Sequence, residues 1–287
     1  MEALPAGSEI IVVDNASVDG TAEMVEREYP GVILIRNEVN LRFAGANNQA
    51  LRRVRNEYVL LLNNDTEVMP GAVERLINAL EENPDAAMVG PQLLNPDGSI
   101  QPSCHKFPTL WTHMCDMLAL DRVFPGVSMC SSTTMLYFDH QSVREVDHLT
   151  AAAVLVRMEA LRQIGFFDEK LTIYYNDLDL SLRLKREDWK SIFIPEAQIL
   201  HHGGQTAIQL RTSWDYFVEQ QDNIYYYYLK NHGRIVLFLY KVILLIGMLP
   251  RLWFWTFSSI MTKDSRATVQ KHFTLWTLRH LLGHGKD

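Results

Sequence analysis

Residues 58–68 read Tyr-Val-Leu-Leu-Leu-Asn-Asn-Asp-Thr-Glu-Val, an apolar run that stops abruptly on three polar side chains. Five apolar or aromatic residues without alternation predict a parallel strand covered on both faces. Asn63, Asn64 and Asp65 then lie at its carboxyl end. Working outward, residues 10–13 form a second short apolar run ending in Asp14, and residues 32–35 a third, followed by Arg36 and Asn37. The stretch 21–29 between them has helical spacing, so the segment reads as a β-α-β unit.

A further helix is expected over 46–56. Another follows Pro70, with Val73, Leu76, Ile77 and Leu80 on one face, and Asn83 and Pro84 end it. A strand over 87–94 and a turn over 95–98 come next. Regular structure resumes with a strand at 151–156, a helix around 159–164, a helix opened by residues 174–179 that runs to about 185 and a strand at 191–194. Short connections between alternating strands and helices imply an α/β sheet, whose ligands gather at the carboxyl ends of strands. Asp14 and Asp65 both fall at such ends. Residues 102–145 show no sustained periodicity and are expected to form a long irregular segment concerned with acceptor recognition.

The chain has 287 residues, 47% of them hydrophobic, enough for one large domain or one domain with an appendage. Its 27 Lys and Arg against 34 Asp and Glu give a net charge of −7, so no basic field exists to hold a nucleic acid. Cys104, Cys115 and Cys130 lack CxxC spacing and read as reduced thiols. The first residues lack the basic start and apolar stretch of a secretory signal, so the globular part is expected to stay where it is made.

Four groups of residues are candidates for chemistry. Asp14-Asn15-Ala16-Ser17-Val18-Asp19-Gly20-Thr21 follows a strand and precedes a helix; such a turn can grip a base and ribose, although Ser17 or Asp19 would equally serve as a helix cap. Asp65 offers the rigid anionic oxygen that a divalent cation bridging two phosphates requires, and a capped turn is its simpler explanation. Asp177 and Asp179 open a helix. Asp179 is spaced for an i to i+4 pair with Arg183, which leaves Asp177 as the free general base, while the helix dipole would favour both acids without any catalytic role. His201 and His202 follow an apolar segment and precede Gly203 and Gly204; a neutral imidazole there can complete a metal site with Asp65, and the alternative is a surface turn.

Taken together, IIVVDNASVDGT at 10–21, NLRFAGANN at 40–48, YVLLLNNDTEV at 58–68, GFFDEKLTIYYNDLDLSLRL at 165–184 and IPEAQILHHGG at 194–204 resemble the inverting glycosyltransferases of family 2, in particular the rhamnosyltransferase-like branch. The resemblance covers roughly residues 8–230. It implies a GT-A, Rossmann-like mixed sheet flanked by helices, lacking the first β-α unit that the family usually has upstream of DNAS. It implies nucleotide-sugar contacts from Asp14, Asn15, Ser17, Asp19, Asn40, Asn47 and Asn64, metal ligation by Asp65 and His201, and Asp177 as the catalytic base. Mg²⁺ or Mn²⁺, a nucleoside diphosphate sugar and a lipid-linked glycan acceptor are the implied cofactor and partners, in polysaccharide or cell wall biosynthesis. The donor is expected to be dTDP-rhamnose. Another donor such as a UDP-hexose or UDP-galactofuranose, or an inactive membrane-associated binding protein, are the alternatives. Arg42 stands where the family commonly has glycine, Ala151 replaces another frequent glycine, and Asn176 replaces the glutamate usual before the base.

The expected organisation is a glycosyltransferase domain over 1–230 and a membrane-associated helical region over 231–287. Residues 235–260 are rich in Ile, Leu, Val, Phe and Trp but are interrupted by Lys241, Pro250 and Arg251, so interfacial helices are expected, with Trp253 and Trp255 in the belt. A full span and a buried core helix are the alternatives. The location implied is the cytoplasmic face of a bacterial cell membrane.

Overall fold

The computed structural model describes residues 4–124, 127–130, 133–135, 137–172, 174–203, 214–262, 271, 274–278 and 281. The chain forms two compact units, one from residues 1–107 and 138–227 and the other from 108–137 and 228–287.

The first unit is built on a mixed sheet flanked by helices. Strand β1 (Ile11–Asp14), helix α1 (Thr21–Glu28) and strand β2 (Ile33–Arg36) form the expected β-α-β unit, with β1 and β2 parallel from Ile11↔Ile33 to Asp14↔Arg36. Helix α2 runs over Arg42–Leu51, four residues earlier than expected; the Asn40 side chain accepts from the Arg42 N–H at 2.8 Å and so starts the helix from the loop. Strands β3 (Tyr58–Leu62) and β4 (Thr66–Val68), helix α3 (Ala72–Glu82) and strand β5 (Ala86–Leu94) follow.

The α3 face expected from periodicity is the one that packs: Leu76 and Leu80 are buried in one cluster with Val89, Leu93, Leu155 and Ile199, Ile77 packs against it, and Val73 is buried too. Each fully buried leucine contributes about 2 kcal/mol. Asn83 ends the helix by donating its side-chain N–H to the Ala79 carbonyl at 2.9 Å, just before Pro84. The turn at 95–98 forms as expected, leading into β6 (Ile100–Gln101), which pairs back on β5.

Beyond it come β7 (Cys104–His105), α4 (Leu110–Met117), α5 (Leu120–Val123), β8 (Arg144–Val146), β9 (His148–Leu149), β10 (Ala153–Arg157), α6 (Met158–Ile164), α7 (Asn176–Arg186) and β11 (Lys190–His201). The order of the main sheet is β3-β10-β5-β11-β4, with β6 on β5 and β8 on β11, while β7 pairs with β9. The buried Arg157 guanidinium ties one end of this sheet, donating to the carbonyls of Ala86 and Leu80.

Three expectations are corrected. β3 is not a parallel strand covered on both faces: its partner is β10, antiparallel, and Leu62 is 42% exposed. An apolar run reports burial of its neighbours poorly when it lies at an edge. Among the described residues, β1 has only β2 as a strand neighbour and β3 only β10. Second, the strand expected at 191–194 continues to His201. It passes Pro195 through a register shift between Ile194 and Gln198, since proline cannot donate to a ladder. Third, 102–145 is not irregular throughout: α4 starts with a capping box in which Thr109 and Thr112 satisfy one another's backbone N–H groups. The buried positions of α4 are Thr112 and Cys115, so no apolar stripe marks its inner face, and α5 has only four residues.

Helix α8 spans Trp214–Thr262, and in the second unit its part beyond residue 227 lies against α4, with Gly247 facing the Met117 side chain so closely that a Cβ would sit 2.7 Å from it. The helix is kinked at Gly233 (φ 81, ψ 177) and continues through Lys241 and Pro250. The expected interruption therefore does not break it, and Val218–Met261 is long and apolar enough to cross a membrane. Only about a fifth of its most apolar window is buried, unlike a core helix, and Ile235, Phe238, Ile246, Trp253, Phe257 and Ile260 are exposed. Much of 263–287 and Gly204 lie outside the described residues.

Candidate active site at the end of the third strand

The chain leaves β3 through a tight turn. The Asn63 N–H donates to the Ala152 carbonyl at 2.8 Å, the Thr66 hydroxyl donates to the Asn63 carbonyl at 2.7 Å, and the Asp65 carbonyl accepts from the His202 N–H at 2.9 Å. β4 then runs antiparallel to the end of β11, with Thr66 opposite His201. That register brings His201 Nε2 to 3.3 Å from Asp65 Oδ1, with the two side chains 12% and 22% exposed.

Gln101 fixes how the imidazole faces. Its Nε2 donates to Asn95 Oδ1 at 2.9 Å, so its Oε1, 2.6 Å from His201 Nδ1, is the acceptor there. With a hydrogen on Nδ1, Nε2 is the ring atom turned to the Asp65 carboxylate, 3.3 Å from Oδ1, and an imidazole nitrogen and a carboxylate oxygen so placed are both metal-ligand types. Among the described residues no group of three or more His, Cys, Asp or Glu could hold a metal by itself. One carboxylate and one imidazole nevertheless fit a divalent ion whose remaining coordination comes from phosphate oxygens and water, and the Gln101 contact is the kind of outer support such ligands use. His202 is placed differently, with its Nε2 2.6 Å from Glu67 Oε1.

Asp177 reaches the same strand end by way of β10. The Ala151 N–H donates to Asp177 Oδ2 at 3.3 Å, and the next residue, Ala152, accepts from Asn63. Two residues in left-handed backbone, Tyr174 (φ 52) and Tyr175 (φ 60), turn the chain into α7 immediately before it. Strain of this kind persists where the surroundings over-determine it and clusters at functional sites. Asp179 separates from Asp177 as its spacing predicts: it is fully buried, 2.8 Å from Arg183 Nε, while the same guanidinium donates to the carbonyls of Ile164, Gly165 and Phe166. Asp179 thus anchors α7, and Asp177 keeps a carboxylate that is about one-quarter exposed.

At the end of β1, Asp14 is 6% exposed and its Oδ1 is a buried acceptor without a partner, while Oδ2 is 3.4 Å from the Ser17 N–H. A buried carboxylate oxygen left unpaired suits a donor group on a ligand. Asn15 and Asn40 hold one another: the Asn15 side chain donates to Asn40 Oδ1 at 2.9 Å and accepts from the Leu41 N–H at 2.8 Å. Asn47 donates back to the Phe43 carbonyl within α2. The Asp19 carboxylate is held by the Thr21 N–H and hydroxyl, which lower its proton affinity. Ser17 and Asn64 are exposed. Arg42 adopts φ 62, the positive value that its place in the loop makes costly, and pairs with Glu219 at 3.2 Å.

Sequence reading misses Gln101 and Asn48. Asn48 is buried and clamps α2 to the 167–169 loop, exchanging hydrogen bonds with both the N–H and the carbonyl of Phe167. Its place inside the quoted 40–48 stretch is the signal that marks it; nothing local marks Gln101.

The family model described as glycosyl transferase family 2 matches residues 5–146. N-acetylglucosaminyl-diphospho-decaprenol L-rhamnosyltransferase of Mycobacterium tuberculosis is 30% identical over 207 residues, covering 67% of this chain and 66% of that protein. The low-salt glycan biosynthesis hexosyltransferase Agl10 of Haloferax volcanii is 22% identical over 185 residues, covering 63% of this chain and 54% of that protein. The chain therefore spans somewhat under two thirds of the length of these relatives. The crystal structure of S. aureus TarS superposes with a TM-score of 0.50 at 14% identity, over 97% of this chain and 44% of that one, a likeness of fold.

Proposed function

The chain belongs to glycosyl transferase family 2, and from that premise we propose that it transfers a sugar from a nucleoside diphosphate donor to a lipid-linked or cell-surface glycan acceptor, with inversion at the anomeric carbon. The donor sugar is rhamnose, carried as dTDP-rhamnose. The observation that carries the reading is the convergence on one strand end of the Asp65–His201 pair and, through Ala151 and Ala152, of Asp177. The name of the M. tuberculosis relative supports rhamnose and a lipid-diphosphate acceptor.

In this reading Asp14 accepts a hydrogen bond from the nucleotide, with Ser17, Asp19, Asn15, Asn40, Asn47 and Asn64 around it. Asp65 and His201 would hold Mg²⁺ or Mn²⁺, which would offset negative charge on the diphosphate. Asp177 takes the proton of the acceptor hydroxyl as that oxygen bonds to the anomeric carbon, and the bonding pair of the breaking C–O bond leaves with the diphosphate. Attack opposite the leaving group inverts the configuration.

Residues 1–230 make the catalytic domain and 231–287 a membrane-associated region at the cytoplasmic face. The exposed apolar side chains of α8 support that placement. Incubation of the purified protein with Mn²⁺, acceptor lipid and dTDP-rhamnose, UDP-hexose or UDP-galactofuranose tests the reading. dTDP release and labelled lipid with dTDP-rhamnose alone is the expected result. Turnover with a UDP-sugar replaces the donor, and binding or hydrolysis of no nucleotide sugar favours a non-catalytic membrane-associated protein.

A further inference from the structure

Behind Asp177 lies a buried imidazole outside the five stretches that carry the family resemblance. His148, on β9, has its Nε2 3.9 Å from Asp177 Oδ2 and its Nδ1 3.4 Å from Ser181 Oγ, one turn further along α7. His105, opposite it in the β7–β9 pair, stacks on it with ring centroids 5.2 Å apart and is itself held by the Thr150 hydroxyl at 3.0 Å. Burial lowers the proton affinity of both rings, and for His148 it outweighs the opposing pull of the Asp177 carboxylate. Both are therefore neutral at pH 7, and His148 has a single N–H to place. A carboxylate oxygen repels a lone pair and attracts a donor, so the hydrogen sits on Nε2 and the Ser181 hydroxyl donates to Nδ1.

We propose that His148 is a positioning residue for Asp177, whose Oδ2 it holds together with the Ala151 N–H so that Oδ1 is presented to the acceptor hydroxyl. The inference rests on Asp177 being the base. At 3.9 Å the contact is electrostatic; closing by about 1 Å on substrate binding, as catalytic contacts commonly do, makes it a hydrogen bond. Oδ1 meanwhile accepts from the Leu178 N–H at 3.0 Å and keeps a lone pair for the proton. The other titratable or charged groups nearby are accounted for. Asp147 acts on His148, and His105 and His140 are kept neutral by burial. Asp179 is paired with Arg183, Lys190 on β11 with Asp85, and Arg162 on α6 donates to the Val54 carbonyl.

The test compares the pH dependence of kcat/KM in H148Q, H148N, H148L and D177N. Glutamine places an N–H where Nε2 stands, asparagine only near Nδ1, and leucine none. Losing the donor raises the proton affinity of Asp177. H148L and H148N are expected to shift the acid limb to higher pH and to lower kcat about tenfold with KM little changed, while H148Q follows the wild type. If H148L does not fold, the H148Q and H148N pair decides, and superimposable acid limbs in those two overturn the inference. An inactive D177N beside unshifted His148 variants overturns the positioning role alone. Wild-type turnover in D177N overturns the base reading and this inference with it.

Discussion

His201 Nε2 stands 3.3 Å from Asp65 Oδ1 because β4 and β11 pair antiparallel with Thr66 opposite His201. With the Nδ1 side of the ring held by Gln101, Nε2 is the ring atom turned to Asp65. Asp65→Asn or His201→Ala is expected to weaken Mn²⁺-dependent donor binding by about 10- to 100-fold, and Gln101→Leu by about tenfold. Titration calorimetry of donor with and without Mn²⁺ measures it. Unchanged binding in all three variants would remove the metal from this site.

Asp177→Asn keeps the side-chain volume and removes the proton acceptor. A fall in kcat of roughly 10²- to 10⁴-fold with donor affinity unchanged is expected, read by single-turnover transfer and by donor titration on the same preparation.

Asp179 is fully buried and its partner Arg183 also serves three carbonyls. Asp179→Ala strands the guanidinium, and a loss of about 3 kcal/mol is expected from urea unfolding. A loss below about 1 kcal/mol would place this pair among ordinary surface bridges.

Arg42 at φ 62 carries a left-handed penalty that glycine does not. Arg42→Gly relieves about 1 kcal/mol of strain against a partly exposed ion pair with Glu219 and a more mobile unfolded chain. The terms nearly cancel, so a change within about 0.5 kcal/mol in the free energy of urea unfolding is expected; a loss above about 1 kcal/mol would mean the ion pair dominates.

Burial lowers the pKa of His105 and His113 from 6.5 to about 4. Between those values the unfolded chain binds the extra protons, so this stability is full above about pH 6.5 and is lost as pH falls toward 4. Each histidine contributes on the order of 3 kcal/mol across that window. A melting temperature that falls steeply between pH 6.5 and 4, and less steeply in His113→Phe, is the expected record.

Local pattern alone was enough for the β-α-β start, for the buried face of α3 and for the separation of Asp179 from Asp177, because each depends on spacing within one element. It was not enough for β3, whose five apolar residues look the same at an edge as at the centre of a sheet, nor for β11, where a proline disguises a strand that continues through a bulge. Helix α4 escaped because its buried positions are Thr112 and Cys115 rather than an apolar stripe, and α5 because it is a single turn.

Asp65 and Asp177, ordinary turn and helix-start acids when taken singly, are distinguished in sequence by their order among five motifs. That order determined the family, the strand-end location of Asp65 and the residue types available for chemistry. Which atoms meet was decided only by tertiary structure. Antiparallel register carries His201 to Asp65, Gln101 turns its ring, and Ala151 and His148 converge on one oxygen of Asp177. These contacts join residues far apart in the chain, and hydrogen-bond register between strands, unlike helical spacing, leaves no local periodic trace.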